Sequence, residues 1–183
     1  AKGRVAVTCF ATNVARVATV AKVAEATGRR LALIGRSLHR LYEVSKENGY
    51  LQSFPDVVPE DAVGRLPEEE VLMLVTGTQG EPRAALSKLS RNEHHHVTLS
   101  PGDTVIYSSR EIPGNETDIN RVRNHLAGLG VEVLVDGHDG LNVHVTGHPQ
   151  RDELTQMYQW TQPQIALAVH GETWHQLENA KLA

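Results

Sequence analysis

Residues 71–75 read Val-Leu-Met-Leu-Val, five apolar side chains in a row. A run of that length without a polar break is a buried strand, because an amphipathic helix would interrupt it every second or third position. The chain repeats such runs and separates them with amphipathic stretches. Arg4–Thr8, Leu31–Ile34 and Val131–Val135 read as further strands. Asn13–Thr27 reads as a helix, with Val14, Val17, Ala18, Ala21 and Ala24 at helical spacing. Ser37 to about Asn48, about Pro82–Ser90 and Thr117–Leu129 read as helices too. Residues 50–67 hold three prolines and several acids and read as a loop with one helical turn around Pro59–Val63. Val97–Leu99 and Thr104–Ser108 read as a hairpin around Pro101-Gly102-Asp103.

Strands alternating with helices predict an α/β fold: a doubly wound, mainly parallel sheet with helices on both faces. The last forty-odd residues keep the rhythm and predict a C-terminal β-α-β-α extension. Its elements are strand Asn142–Thr146, helix Gln150–Thr161, strand Ile165–Val169 and helix Thr173–Leu182. Glycine and polar residues cluster at Asp136–Gly140, which sets the expected domain boundary, with 1–140 before it and 141–183 after. Aromatic residues make up only 4%, so Val, Leu, Ile and Ala must fill the core, as suits a sheet covered by helices.

Charge narrows the partners. The formal net charge is −4, against the strongly basic balance of a domain that binds nucleic acid nonspecifically. A local phosphate pocket stays compatible with that charge, since backbone amides and a few Arg or His residues suffice. Cys9 is the lone cysteine, so no disulfide closes within the chain and no Cys-based zinc site forms; a reducing, cytoplasmic setting is expected. The longest apolar runs are strand-sized and too short to span a bilayer, so no membrane role is expected. The chain opens Ala1-Lys2-Gly3-Arg4 directly into a strand without a Met, and so reads as a piece of a larger protein.

In doubly wound sheets ligands sit beyond the carboxyl ends of the strands. Small, polar and histidine-rich segments fall at those ends: Cys9–Asn13, Gly35–Ser37, Thr76–Pro82, Ser108–Glu116, Thr146–Pro149 and His170–Glu172. In Val143-His144-Val145-Thr146-Gly147-His148-Pro149, His148 emerges just before a predicted helix, whose N-terminal amides favour anions. His170 follows 22 residues later, again at a strand's end and before a glycine. A single strand-end histidine is more often a structural or surface residue; the repeated pattern puts a shared phosphate or metal on an equal footing with that reading. His94-His95-His96 is a poor single-metal site, because consecutive residues point different ways.

These segments together resemble a known family. HVTGHP followed by VHGE resembles the HVSGHA…VHGE signature of the β-CASP metallo-β-lactamase ribonucleases, and within them the bacterial RNase J group. VTCFATNVARV resembles that group's strand–FASN–helix motif, LVTGTQGEPRAALSKL its GSQGEP motif, and GDTVIYSSREIPGNETDIN its GDTVI…PIPGNE stretch. The resemblance implies a Rossmann-like β-CASP domain over 1–140 and, over 141–183, a return into a metallo-β-lactamase domain. It implies a zinc-dependent ribonuclease, exonuclease from a 5′ end or endonuclease, that hydrolyses RNA phosphodiesters with two zinc ions. The partners implied are RNA bearing a 5′-monophosphate, the missing metallo-β-lactamase domain and, in the intact enzyme, further copies of itself.

By position, His170 matches a zinc-ligating histidine, and His148 matches the histidine that contacts the scissile phosphate. Thr146 and Gly147 stand where the family's Ser-Gly helps bind a 5′-phosphate, and Thr12 and Asn13 match the Ser-Asn of FASN. Arg36 joins them as a phosphate ligand or stands as a surface residue; His144 steadies the pocket, touches RNA or packs. Glu172 orients His170 from behind or is a helix-terminal acid. The family's His-x-His-x-Asp-His run is absent from the 183 residues, so the chain is not expected to bind the zinc pair fully or to cleave RNA alone. The rival readings are a noncatalytic RNA-binding or oligomerisation module, and a nucleotide-binding module with GTQGEP as its phosphate loop. The second lacks both GxGxxG after the first strand and a Walker Gly-Lys-Thr.

Overall fold

The computed structural model describes residues 1–169 and 171–183. It divides into two compact units, Ala1–Val145 and Thr146–Ala183.

The first unit is built on six strands: β1 (Val5–Thr8), β2 (Arg30–Ile34), β3 (Val57–Val58), β4 (Val71–Val75), β5 (Thr104–Tyr107) and β6 (Glu132–Val135). They lie in the order β3-β2-β4-β1-β5-β6, and every neighbouring pair is parallel. The apolar run at 71–75 sits inside this sheet as β4, buried at all five residues. The sheet's period of two sends alternate side chains to opposite faces. Val71, Met73 and Val75 join Ala32, Ile34 and Val105 on one face, while Leu72 and Leu74 join Leu31, Leu33 and Val7 on the other.

Helices cover both faces, as such a sheet requires. Helix α1 (Val14–Ala26) lays Val17, Val20, Ala21 and Ala24 on the second face, beside Leu38 of α2 (Arg36–Glu47). The first face receives Val63 of α3 (Glu60–Val63), Leu86 and Leu89 of α4 (Ala85–Ser90), and Ile119, Val122 and Leu126 of α5 (Glu116–Gly128). The doubly wound, parallel architecture read from the sequence is therefore the one found. Strand β3 went unread because it is only two residues long, at a sheet edge, inside a segment dominated by prolines and acids.

The expected hairpin at 97–108 is corrected. Only its second half is a strand, and β5 has β1 on one side and β6 on the other. Both edges are thus taken, leaving no ladder for residues 97–99. Val97 and Leu99 are instead packed as loop side chains into the first-face core.

The second unit holds α6 (Arg151–Thr161) and α7 (Thr173–Leu182). Both start with reciprocal side-chain caps, Gln150 with Glu153 and Glu172 with His175. The Tyr158 hydroxyl donates to Asn179 Oδ1 at 2.6 Å. The strands expected at 142–146 and 165–169 are absent among the described residues. A strand needs a ladder partner, and neither run has one; Ile165, Leu167 and Val169 are left 77–89% exposed.

At the amino ends of the strands a buried ion pair closes the sheet. Asp103, fully buried, accepts from the backbone amides of Arg4 at 2.6 Å and Ser100 at 2.9 Å. The Arg4 guanidinium lies 3.6 Å from the same carboxylate and 2.7 Å from Glu68. Asp103→Ala removes the acceptor for two amides and half the partnership of a buried cation. We expect a loss of about 3 kcal/mol of stability, read as a fall in urea midpoint at unchanged m-value. A loss below about 0.5 kcal/mol would show that the pair does not hold this end of the sheet together.

Candidate functional site

Through the middle of the sheet, neighbouring strands send their outgoing chains in opposite directions at β2/β4, β4/β1 and β1/β5. β1 and β2 lead into α1 and α2 on one face; β4 and β5 lead towards α4 and α5 on the other. The sheet therefore opens at the carboxyl ends, and the openings between β1 and β5 and between β2 and β4 are the ones lined by the candidate residues. Such switch points are where doubly wound folds bind ligands.

At the β1/β5 opening, Thr12 and Asn13 stand exposed on the turn after β1. Asn13 is also the cap of α1, its Oδ1 accepting from the Arg16 amide at 3.0 Å. The residue that organises this opening is Arg16, which sequence reasoning passed over as an ordinary helix position. Its guanidinium donates to the Ser108 hydroxyl beyond β5 and to the carbonyls of Val143 at 3.2 Å and Val145 at 3.1 Å. Ser108 Oγ donates to the Val143 carbonyl at 2.5 Å, and Asp136 Oδ1 accepts from the amides of Val143 and His144 at 2.9 Å each. Five polar contacts thus fix residues 143–145 although they belong to no strand. Only the Arg in ATNVAR, one turn past a cap, could have signalled it.

His144 is carried in on that segment. Burial lowers its pKa from the ordinary histidine value and the Arg16 cation lowers it further, opposed by the nearby Ser108 backbone and the Asp136 charge. Its Nδ1 is sealed from solvent with no partner among the described residues. Cys9 lies buried at the end of β1; burial pushes its thiol up to about 11, partly opposed by Arg16, so it stays a neutral packing group.

The β2/β4 opening holds Arg36. Arg36 lines a cavity of about 750 Å³ with Gly35, Ser37, Thr76, Gly77, Glu81 and Lys88, while Thr12 and Asn13 belong to the other opening. Glu60 anchors one wall: its carboxylate accepts from the Gly35 amide at 3.1 Å and lies 3.2 Å from His39 Nε2 and 3.7 Å from His94 Nε2. Burial lowers the His94 pKa; Glu60 opposes this, and the neighbouring His96, Lys88 and His95 reinforce it. The rings of the His94–His96 run splay apart, with His94 and His96 6.4 Å between centroids at 71°.

In the second unit, Thr146 Oγ1 accepts from the His148 amide at 3.1 Å, which closes a small turn over Gly147 and leaves His148 exposed. Glu172 caps α7: its carboxylate accepts from the third amide of the helix, and its own amide donates to His175 Nδ1 at 3.1 Å. The simpler reading of Glu172, a helix-terminal acid, is thus satisfied locally. His170 lies outside the described residues. Among the described residues no group of three or more His, Cys, Asp or Glu side chains is placed to hold a metal ion, so they do not fit a zinc pair.

Gln79 ties two of the rim motifs together. Buried after β4, it donates from Nε2 to the Arg110 carbonyl at 2.9 Å. Its Oε1 accepts from the Ile112 amide at 2.9 Å and from Asn115 Nδ2 at 3.2 Å. The glutamine of TGTQGEP therefore shapes the EIPGNE loop on the rim beyond β5.

The fold and these openings define a doubly wound parallel α/β domain whose binding rim is assembled from loop motifs after the strands. This chain belongs to the ribonuclease J β-CASP family: residues 2–126 match the family described as Ribonuclease J, beta-CASP domain. Ribonuclease J of Sinorhizobium meliloti is 46% identical over 182 residues, covering all of this chain and 32% of that protein. Ribonuclease J of Mycolicibacterium smegmatis is 42% identical over 184 residues, covering the whole chain and 33% of the relative. For Ribonuclease J of Thermus thermophilus the figures are 40% over 183 residues, the whole chain and 32%. The chain spans about a third of the length of these curated relatives.

Two outcomes follow. Gln79→Ala orphans the Arg110 carbonyl and the Ile112 amide, and should cost about 2 kcal/mol while speeding amide exchange across residues 109–115. Unchanged exchange there would separate the glutamine from the loop. For His94 and His144, the folded pKa lies below that of the unfolded chain, so unfolding takes up protons as pH falls. Their contribution is complete above the unfolded value and is lost as pH drops from about 6.5 towards the folded values. Side-chain NMR titration should place both midpoints below 6.5; midpoints at or above it would contradict the burial described.

Proposed function

We propose that this chain is the RNA-holding part of a zinc-dependent ribonuclease that hydrolyses phosphodiester bonds, working as a 5′-exonuclease and endonuclease. Residues 1–140 are its β-CASP domain, and 141–183 return the chain into a metallo-β-lactamase domain. The observation that carries the reading is the β1/β5 opening of a ribonuclease J family member, where Arg16, Ser108 and Asp136 hold residues 143–145 beside the exposed Thr12 and Asn13. A 5′-phosphate is held by the Thr12 hydroxyl and the Asn13 side-chain amide, both uncharged donors; Thr146 and Gly147, in the second unit, are assigned to phosphate binding by their match to the family's Ser-Gly. His148 presents an imidazole to the scissile phosphate, and His144, kept neutral, positions the segment that leads to it. His170, backed by Glu172, contributes to a zinc site whose other ligands lie outside this chain. The intact enzyme is a cytoplasmic homo-oligomer acting on RNA.

On this reading the chain alone grips RNA without cutting it. Purified chain should bind a 5′-monophosphorylated oligoribonucleotide about tenfold more tightly than its 5′-hydroxyl counterpart, a difference of about 1.4 kcal/mol that Thr12→Ala and Thr146→Ala each reduce. With added Zn²⁺ or Mn²⁺ it should show no turnover. Robust cleavage by the pure chain, or equal affinity for both RNA ends, would sink the proposal.

A further inference from the structure

The β2/β4 opening is separate from the site just proposed, and its charges are arranged differently. Arg36 comes from the first turn of α2, while Arg83 and Lys88 come from the segment that leaves β4 for the opposite face. All three line the cavity of about 750 Å³, and among the described residues none of them is in an ion pair. The two carboxylates in the same wall are already engaged. Glu60 takes the Gly35 amide and His39, with His94 close by, and Glu81 accepts from the Gln79 amide at 3.0 Å. In a chain of net charge −4, this is a local concentration of unpaired positive charge in a concave space.

The floor is built for close approach. Gly35 has φ +121°, and a Cβ there would meet Thr76 Oγ1 at 2.5 Å; Gly77 has φ +117°, and its Cβ would meet Ala84 at 2.9 Å. Only glycine lets the chain turn this tightly after β2 and β4, where the Gly35 amide is held by Glu60. His95 and His96 are exposed on the outer wall, and imidazole rings stack on bases.

We propose that this cavity is a nucleotide-binding site, its Arg36, Arg83 and Lys88 taking the phosphate and its His95 and His96 facing the base. The nucleotide is either a free mononucleotide or one unit of an RNA strand; both present the same phosphate and base. The volume suits a ligand of that size.

The test titrates the whole chain with adenosine 5′-monophosphate and, separately, with a 5′-hydroxyl hexa-adenylate, reading affinity by calorimetry and the ring resonances of His94–His96 by NMR. At least one probe should shift those rings. The double variant R83A/K88A should weaken that binding at least about tenfold. Arg65→Ala, on the surface outside the cavity, should leave it unchanged. Perturbation by the monophosphate alone identifies a free nucleotide, and by the oligomer alone a bound strand; each supports the site. If neither probe moves the histidine rings, or if R83A/K88A binds as tightly as the parent, the proposal is overturned. Because the His94–His96 rings line only this opening, whereas the 5′-phosphate reading is tested by the affinity difference between RNA ends, failure here is distinguishable from failure there.

Discussion

The fold is governed by the burial of β4 on both faces. Parallel strands cannot be joined by tight turns, so each needs a crossover, and burial on both sides requires crossovers on both sides. With β4 between β2 and β1, the chain leaves β4 in the opposite direction from both neighbours, and β1 and β5 diverge in turn. The two openings on the carboxyl rim are therefore consequences of covering an apolar sheet. At the opposite rim, Asp103 and Arg4 meet a different need: they satisfy amides and a cation that the covered sheet would otherwise bury unpaired.

Rim loops have no ladder to hold them, and this chain holds them with side chains. Gln79 reaches from the loop after β4 to that after β5, and Arg16 reaches from α1 to Ser108 and on to residues 143–145. Each is a polar group, wholly or partly buried, bonded to backbone atoms far away in sequence. Replacing either partner alone strands the other in a low-dielectric setting. This is a physical reason for the TGTQGEP, EIPGNE and FATNVAR segments to occur in one chain: they are parts of a single hydrogen-bonded rim.

Much of the first unit was legible because apolar periodicity reports burial directly. The runs at 5–8, 31–34, 71–75 and 131–135 and the helical stripes between them all predict elements that are found. What failed shares one cause. Residues 97–99, 142–146 and 165–169 have strand-like side chains, but a strand also needs a free edge to pair with, and side-chain pattern says nothing about edges. The site divides in the same way. Thr12, Asn13 and Arg36 could be placed on the rim from their positions after strands; that Arg36 lines a different opening from Thr12 depends on strand order, which the linear sequence does not display. Arg16 was invisible because its function lies in three distant acceptors.

The second unit makes the dependence on partners explicit. Helices of 11 and 10 residues are marginal in water, and neither α6 nor α7 buries a residue. Reciprocal caps and the Tyr158–Asn179 bond supply local order, while Trp160, Trp174, Ile165, Leu167 and Val169 remain in solvent. A histidine gains catalytic meaning from the strand that aims it, because a fraction of an ångström separates a productive contact from an idle one. His148 is aimed here only by a Thr146 turn. Pairing the strand-like run at 165–169 in a sheet would satisfy its backbone and bury its apolar side chains in one step. Order in this unit therefore waits on a partner strand that side-chain caps cannot replace.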